Sequence, residues 1–282
     1  MNETRRVGRF EVTAILDADM PDEPIADAFP GLAPDDLDAA RASFPGVYTG
    51  DGRWRLRVRA WLVRADGGAT LFDTGIGGPN APAQAWTTEI GSLRRQLATL
   101  GVAPEDVDTV AISHVHDDHI GGSVAEDGAL IGPNARYLVQ RADVEWQRAH
   151  ATDDDYAART WQPIGAIEDA GALDVVEGEH IVSAGLTLRH APGHTPGHQV
   201  LIIEDAGDRM LISADAWNHP LQIAKPDGAS GSDDDPATAA ASRRTLLADL
   251  EAHARTVLAP THFAEAFGEV VRAGDSWRWS AL

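Results

Sequence analysis

Metal-binding side chains are concentrated in one short segment, residues 112–122 (ISHVHDDHIGG), and this segment constrains the fold more than any other. It places three imidazoles and two carboxylates within six residues, directly after an apolar run typical of a buried strand. His114 and His116 are two residues apart, so in an extended chain their side chains leave the same side, roughly 6–7 Å apart at the backbone. Asp118 and His119 follow on a turn into a predicted helix. The pattern predicts a strand that ends at a metal site, where a second ion can bind beside the first.

Three further candidate ligands follow predicted strands later in the chain. His194 lies in a turn rich in glycine and proline, residues 191–198 (APGHTPGH), while Asp215 and His262 each come just after a short apolar run. Ligands gathered from several strand ends onto one sheet edge suit a site that the scaffold holds rigidly. We expect these three side chains to complete the site. Apart from His219, the remaining histidines are expected to frame the site or to be ordinary polar residues: His150, His180, His190, His198 and His253.

Predicted strands and helices alternate along the chain, which favours a layered α/β fold. The strand-like runs are residues 9–16, 55–63, 70–72, 107–113, 137–139, 186–190, 199–203, 210–213 and 256–258. The helical patterns are residues 34–42, 86–100, 142–148 and 237–252, the last of them capped by Asp235. We expect a single domain over residues 1–282, in which a loop-rich excursion at residues 18–53 covers the active site.

Composition narrows the chemistry and the partners. The chain has no cysteine, which excludes a disulfide framework, a thiol nucleophile and a thiolate-bound metal. A formal net charge of −21 would repel phosphate backbones, so no nucleic acid partner is expected. No apolar stretch approaches the length of a membrane span, and the N-terminal residues lack the apolar region of a signal peptide. We expect a cytoplasmic protein with a small-molecule substrate and no membrane partner.

The order of these motifs resembles the metallo-β-lactamase superfamily: HxHxDH, then GHTPGH, then an aspartate and a late histidine. The resemblance covers roughly residues 55–265 and implies a four-layer αβ/βα sandwich. The turn DTG that begins at Asp73 is also similar to the superfamily, where this aspartate hydrogen-bonds to a ligand rather than binding metal. The resemblance implies two zinc ions, one bound by His114, His116 and His194, the other by Asp118, His119 and His262, with Asp215 bridging them.

Such a bridged pair of ions implies hydrolysis. Two ions about 3.5–4 Å apart share a water and lower its pKa towards neutrality, which gives a hydroxide nucleophile. Asp118, beside the bridging water, is expected to accept its proton and pass it to the leaving group, so it is the candidate catalytic residue. Zinc is the expected metal, although iron, manganese or cobalt would suit the same ligands.

Several branches of the superfamily do not match this sequence. Penicillin-cleaving members usually have a cysteine ligand or lack the bridging aspartate, and the tRNA-processing nucleases need a basic surface. Glyoxalase II has a helical domain after its last histidine, whereas only twenty residues follow His262 here. The sequence resembles instead the branch of acyl-homoserine lactonases and methyl parathion hydrolase-like enzymes, which are commonly homodimers.

This branch implies a lactone or carboxylic ester as the substrate, with organophosphate triester hydrolysis as the alternative. The sequence is also compatible with a thioesterase of a biosynthetic pathway and with a non-catalytic metal- or ligand-binding module. Many lactonases stabilise the oxyanion with a tyrosine, but no tyrosine lies at the expected place after Asp215, and Asn218 or His219 is expected to replace it. The expected apolar pocket residues are Trp217, Phe263, Phe29 and Trp54.

Overall fold

Two β-sheets face each other and carry helices on their outer surfaces. The computed structural model describes residues 2–282, whose strands form two sheets of seven strands each. Apolar side chains fill the space between the sheets and the space between each sheet and its helices. The predicted α/β class and the four-layer sandwich are therefore confirmed.

The first sheet contains the first seven strands in sequence order. Its first four strands are antiparallel, and the fourth to the seventh are parallel. They are β1 (Glu3–Val7), β2 (Phe10–Pro24), β3 (Arg53–Ala65), β4 (Gly68–Phe72), β5 (Val107–Ala111), β6 (Arg136–Gln140) and β7 (Leu173–Val176).

The second sheet contains the other seven strands, again in sequence order. All of its neighbours are antiparallel except the parallel pair formed by the fourth and fifth of these strands. They are β8 (His180–Ser183), β9 (Leu186–His190), β10 (Gln199–Asp205), β11 (Asp208–Ala214), β12 (Val257–Pro260), β13 (Gly268–Ala273) and β14 (Ser276–Ala281).

The α-helices lie in the connections between strands. They are α1 (Ile25–Ala28), α2 (Pro34–Ser43), α3 (Leu93–Thr99), α4 (Asp117–Ile120), α5 (Arg141–His150), α6 (Asp155–Asp169), α7 (Leu221–Ala224) and α8 (Pro236–Ala252). Short 3-10 turns occur at Pro45–Val47, Pro82–Ala85, Pro104–Asp106 and Gly121–Ser123. Within residues 2–282, none of the helices combines the length and the apolar character needed to cross a membrane.

The layers follow from which faces are apolar. Trp61 of β3 and Leu201 of β10 belong to the core between the two sheets. The outer face of the first sheet packs against α3, α5 and α6, with Leu97 and Ile164 among the contacting side chains. The outer face of the second sheet packs against α8 through residues such as Leu247. The predicted N-cap of α8 is confirmed, because the Asp235 carboxylate accepts the N–H groups of the first helical turn.

The excursion at residues 18–53 contains more regular structure than predicted. Its first residues extend β2 to Pro24, and they pair with β3 as far as Arg53, with register shifts after Leu16 and Pro21. The rest contains α1 and the predicted helix at residues 34–42, which is α2. The prediction of loop over residues 18–24 was wrong, because hydrogen bonds to a neighbouring strand, unseen in the local sequence, keep this segment extended.

The predicted helix at residues 86–100 was also wrong in its first half. Only Leu93–Thr99 is α-helical. The buried carboxylate of Asp17 accepts hydrogen bonds from the backbone N–H groups of Ser92 (2.6 Å) and Leu93 (2.7 Å), and from that of Ile76 (2.9 Å). A carboxylate from β2 therefore caps the helix and fixes its start at Leu93.

We expect Asp17→Ala to lower the free energy of unfolding by about 2–4 kcal/mol, because three backbone N–H groups then lose a charged acceptor inside the protein. Denaturant unfolding followed by circular dichroism measures the change. Asp19→Ala is the control two residues along the same strand, since its more exposed carboxylate forms ion pairs with Arg55 (2.6 Å) and Arg57 (3.6 Å) instead of capping a helix, and a smaller loss of about 1 kcal/mol is expected. Equal losses in the two variants would contradict the capping role.

Candidate metal centre

All seven candidate ligands meet at one edge of the sandwich, beside the ends of strands. Four of them lie on the loop after β5 and in α4, which begins one residue after His116. The other three follow later strands: His194 comes after β9, Asp215 after β11 and His262 after β12. Because β5, β9, β11 and β12 end at the same place, residues distant in sequence converge there.

Three imidazoles form the first cluster. His116 Nδ1 lies 3.0 Å from His114 Nε2 and 3.1 Å from His194 Nε2. One nitrogen from each ring lies within 4.8 Å of the others, as the ligands of a single ion would. His114 and His194 are almost completely buried, and neutral imidazole is the form that binds metal.

A carboxylate and two imidazoles form the second cluster. Asp118 Oδ2 lies 3.4 Å from His119 Nε2 and 3.6 Å from His262 Nε2. These three ligand atoms also lie within 4.8 Å of one another. The Asp118 side chain is 13% exposed, while those of His119 and His262 are at most 1% exposed, so Asp118 is the member of this cluster that solvent reaches.

Asp215 lies between the clusters. Its Oδ1 is 3.1 Å from the Nε2 atoms of His119 and His262, and its Oδ2 is 3.3 Å from His194 Nε2. His119 Nε2 and Asp215 Oδ1 are both buried, and although they lie 3.1 Å apart they are not aligned for a hydrogen bond with each other or with any other described residue. Unpaired buried polar atoms are rare in folded proteins, and a cation between them would satisfy both. The ligand set, imidazole and carboxylate without thiolate, fits zinc or a similar divalent ion.

Hydrogen bonds orient the rings. The buried Asp73 carboxylate faces His119 Nδ1 at 2.9 Å and accepts the backbone N–H (2.7 Å) and hydroxyl (2.8 Å) of Ser113. The Ser113 hydroxyl also contacts His114 Nδ1 (2.9 Å), and the Arg57 carbonyl lies 2.6 Å from His262 Nδ1. With Nδ1 occupied in this way, Nε2 is left to face the centre. Asp73 has a φ of +65°, a strained value that its three contacts offset.

Asp233 orients His194 and was not found by sequence analysis. Its Oδ1 lies 3.1 Å from His194 Nδ1, and its Oδ2 accepts from the buried guanidinium of Arg243 at 3.2 Å. His194 is 39 residues away and Arg243 is ten residues away, and Asp233 lies among neighbouring aspartates in residues 233–235. No local pattern separates it from its neighbours, so only the fold identifies it.

The charges of the cluster are matched to metal binding. Burial raises the pKa of Asp118, but His119 and His262 outweigh it and lower that pKa to about 2. Burial likewise opposes ionisation of Asp215, yet His262, His119 and His194 hold its pKa well below the ordinary value. Burial lowers the pKa of His116 to about 3, and neighbouring His194 adds to this effect. The carboxylates therefore stay ionised and His116 stays neutral, which are the forms that bind cations. The same carboxylates raise the pKa of His119 and His262, so a cation that binds there would take the place of protons on these two rings.

A cavity of about 340 Å³ opens beside the two clusters. Lysine and arginine are absent from its walls within residues 2–282, so its charged groups outside the imidazoles are carboxylates. Four ligands line it, namely His116, Asp118, Asp215 and His262. The other lining residues are Asp22, Glu23, Trp54, Leu56, Trp86, Asp117, Tyr156, Asn218, Ser232 and Asp234.

The expected pocket residues are only partly placed at this cavity. Asn218 and Trp54 line it. Trp217 and Phe263 are completely buried in the core between the second sheet and α8, so the expectation that they line the pocket was wrong. His219 is also buried away from the cavity, where its Nε2 lies 3.2 Å from the Tyr48 hydroxyl and its ring packs edge-on against Phe29. His219 therefore does not replace the missing tyrosine.

Two aromatic residues of the cavity wall were missed. Tyr156, in the first turn of α6, lies with its ring centroid 6.0 Å from that of His116. Trp86 is 44% exposed, and its indole N–H donates to Asp117 at 2.7 Å. Tyr156 does not follow Asp215, where the sequence analysis expected a tyrosine, and no signal in the sequence places α6 beside the HxHxDH loop.

Comparisons with known proteins agree with this geometry. A family model described as the metallo-beta-lactamase superfamily matches residues 53–262. An N-acyl homoserine lactonase from a Bacillus species is 32% identical over 175 residues, which cover 57% of this chain and 64% of that protein. A second one, from Bacillus cereus, is 30% identical over 190 residues, which cover 62% of this chain and 70% of that protein. The match thus spans less than two thirds of the first relative's length and slightly more than two thirds of the second relative's length.

Solved structures share the fold over almost the whole chain. AidC, described as a dizinc quorum-quenching lactonase in complex with a product, has a TM-score of 0.86 at 20% identity, and the match covers 100% of this chain and 97% of that one. The hydrolase AbOPH has a TM-score of 0.85 at 22% identity with the same coverage. At these identities the similarity shows the fold alone. Because the family model spans well over half of the sequence, from β3 to the last candidate ligand, the chain belongs to the metallo-β-lactamase superfamily.

Proposed function

We propose that the protein is a dinuclear zinc hydrolase that opens lactone rings. One observation carries the proposal: the Asp215 carboxylate lies within 3.3 Å of imidazoles from both clusters, with Oδ1 beside His119 and Oδ2 between His194 and His262. A carboxylate in this position can bridge two ions. The relatives named as N-acyl homoserine lactonases support a neutral lactone with an acyl side chain as the substrate.

The ligand assignment follows the clusters. His114, His116 and His194 would bind one ion, Asp118, His119 and His262 the other, and Asp215 both. When bound, two such ions lower the pKa of a shared water and polarise the carbonyl under attack. Asp118 both belongs to the cluster and lines the cavity, so its carboxylate is placed to accept the proton of the attacking water and to pass it to the leaving alkoxide.

The carbonyl oxygen of the substrate becomes negatively charged during attack, and neutral hydrogen-bond donors on the cavity wall can stabilise it. Burial raises the pKa of the Tyr156 hydroxyl, and the nearby Asp117 and Asp118 carboxylates raise it further. The hydroxyl therefore stays protonated and can donate a hydrogen bond. Asn218 lines the same cavity and offers an amide donor. Tyr156 and Asn218 are our candidates for binding the lactone carbonyl or its ring oxygen.

The acidic walls favour uncharged substrates. Asp22, Glu23, Asp117 and Asp234 are carboxylates beyond the two in the ligand set, and no basic side chain of residues 2–282 lines the cavity. Two divalent ions would carry four positive charges, but Asp118, Asp215 and a shared hydroxide would cancel three of them, so the four additional carboxylates would still leave the cavity negative. A substrate with carboxylates, such as a glutathione thioester, would meet this field on entry. A neutral lactone or ester would not.

The proposal predicts metal-dependent lactone hydrolysis. The zinc-loaded protein is expected to open an N-acyl homoserine lactone, to lose at least about 100-fold in rate after chelation, and to recover on addition of zinc, because the nucleophile needs the lowered pKa. The assay measures acid release on lactones, aryl esters and phosphotriesters in parallel. Cleavage of phosphotriesters alone would favour organophosphate hydrolysis. No hydrolysis, with less than one bound ion per chain, would favour a binding module.

Asp215→Ala is expected to remove metal from both positions and to lower kcat/KM by about a thousandfold or more, because both ions share this carboxylate. Metal content of the purified variant is measured by mass spectrometry alongside the rate. Asp234→Asn is the matched control, since it removes a cavity carboxylate outside the ligand groups and should keep both ions. A dinuclear, active Asp215→Ala variant would refute the bridging role.

Charge selectivity gives a separate prediction. The enzyme should prefer an aryl ester whose acyl chain ends in a methyl group over one of equal length that ends in a carboxylate. In Glu23→Gln with Asp234→Asn the preference should shrink by about threefold to tenfold, since each carboxylate contributes about 0.5 kcal/mol of repulsion at about 8 Å across a hydrated cavity. Asp169→Asn, at the end of α6, is the control for net charge. An unchanged preference in the double variant would show that the cavity carboxylates do not select substrates.

A further inference from the structure

A buried carboxylate outside the ligand set connects two of the metal-binding loops. Asp143 lies in the first turn of α5 and is 3% exposed. It accepts three hydrogen bonds: from the backbone N–H of Val115 (3.0 Å), the hydroxyl of Thr195 (3.0 Å) and the backbone N–H of Gly197 (2.5 Å). All of these donors are neutral, so this carboxylate is held by hydrogen bonds rather than by an ion pair.

The first donor lies between two ligands. Val115 separates His114 from His116, and α5 contacts it twice: Asp143 accepts from its N–H, and the Gln147 side chain donates to its carbonyl at 3.3 Å. Residues 143 and 147 are four apart, so they face the same side of the helix. The backbone that carries His114 and His116 is thus fixed by one helix face.

The other two donors follow the third ligand. Thr195 and Gly197 lie one and three residues after His194, in the turn between β9 and β10. A Cβ atom on Gly197 would come within 2.6 Å of the Asp143 carboxyl carbon, so this position needs glycine for the two segments to approach. One side chain therefore spans the loops that provide every ligand of the first cluster.

We propose that Asp143 is a positioning residue for the first metal ion, because it sets the separation between the His114–His116 pair and His194. This inference rests on the metal centre proposed above. Loss of the Asp143 contacts should therefore weaken the binding of the first ion only. The second cluster has other supports, since Asp73 contacts His119 Nδ1 and the Arg57 carbonyl contacts His262 Nδ1.

The test is a titration of the metal-free protein with cobalt(II), in which the visible absorption of each bound ion reports its binding. In Asp143→Asn, which keeps the shape but replaces one acceptor oxygen with a donor, the affinity of the site formed by three histidines should fall about 10- to 100-fold. The other site should change less than about threefold. Saturating metal should restore kcat, because the ligands themselves are intact.

Two further variants separate positioning from general damage. Glu145→Gln makes the same chemical change on the exposed side of α5 and should leave both affinities and the rate unchanged. Thr195→Val removes only one of the three hydrogen bonds and should give a smaller loss at the same site, which keeps the test available if Asp143→Asn does not fold.

The outcomes distinguish the two proposals. Wild-type affinity at both sites in Asp143→Asn, or an equal loss at both, would overturn the positioning role while leaving the dinuclear centre in place. A wild-type protein that binds no cobalt at all would overturn the metal centre itself, and the positioning role with it.

Discussion

The structure depends on the burial of imidazoles and carboxylates in one small volume. Asp73, Asp118 and Asp215 surround His119, and although burial lowers the pKa of this imidazole, the three carboxylates raise it well above the ordinary value. Buried charges are tolerated only when they are paired, hydrogen-bonded or bound to a metal. In this protein the strand ends and loops bring opposite charges, together with the groups that orient them, to the same edge of the sandwich.

Apolar packing alone does not set that geometry, because hydrophobic burial has no direction. Hydrogen bonds between the two halves of the sandwich supply it. The buried guanidinium of Arg59, on β3, donates to the carbonyls of Thr261 and Phe263 at 2.7 Å, and so fixes the loop of the last ligand against the first sheet. Gln199, on β10, donates through its side chain to the carbonyl of Ile112 at 2.8 Å, just before the HxHxDH residues. Each contact joins a ligand loop of one sheet to the other sheet.

The sequence predicts those parts whose determinants are local. The HxHxDH segment, the turn around His194 and the apolar runs before Asp215 and His262 are each visible in a few residues. The parts that depend on distant contacts were missed, such as the start of α3, which Asp17 determines from β2. Helix α6 was missed for another reason: it contains Pro163, which local rules count against a helix, although its first turns are stabilised by the Asp154 cap.

The same distinction between local and distant determinants applies to the site: the metal ligands can be predicted from the sequence, whereas the residues of the cavity wall mostly cannot. The candidate ligands directly follow strands that lie in the interior of the sheets. Short motifs after these strands are therefore enough to identify the ligands from the sequence. Much of the cavity wall comes from elsewhere: Asp22 and Glu23 from the extension of β2, Trp86 from the segment wrongly predicted as helix, and Tyr156 from the unpredicted α6. Apolar residues beside the motifs, such as Trp217, pack into the core because the strand ends that carry the ligands also need an apolar layer behind them. Most sequence neighbours of the ligands therefore stabilise the site, apart from Asp117 and Asn218, which line the cavity, and residues brought by distant segments form the rest of its wall.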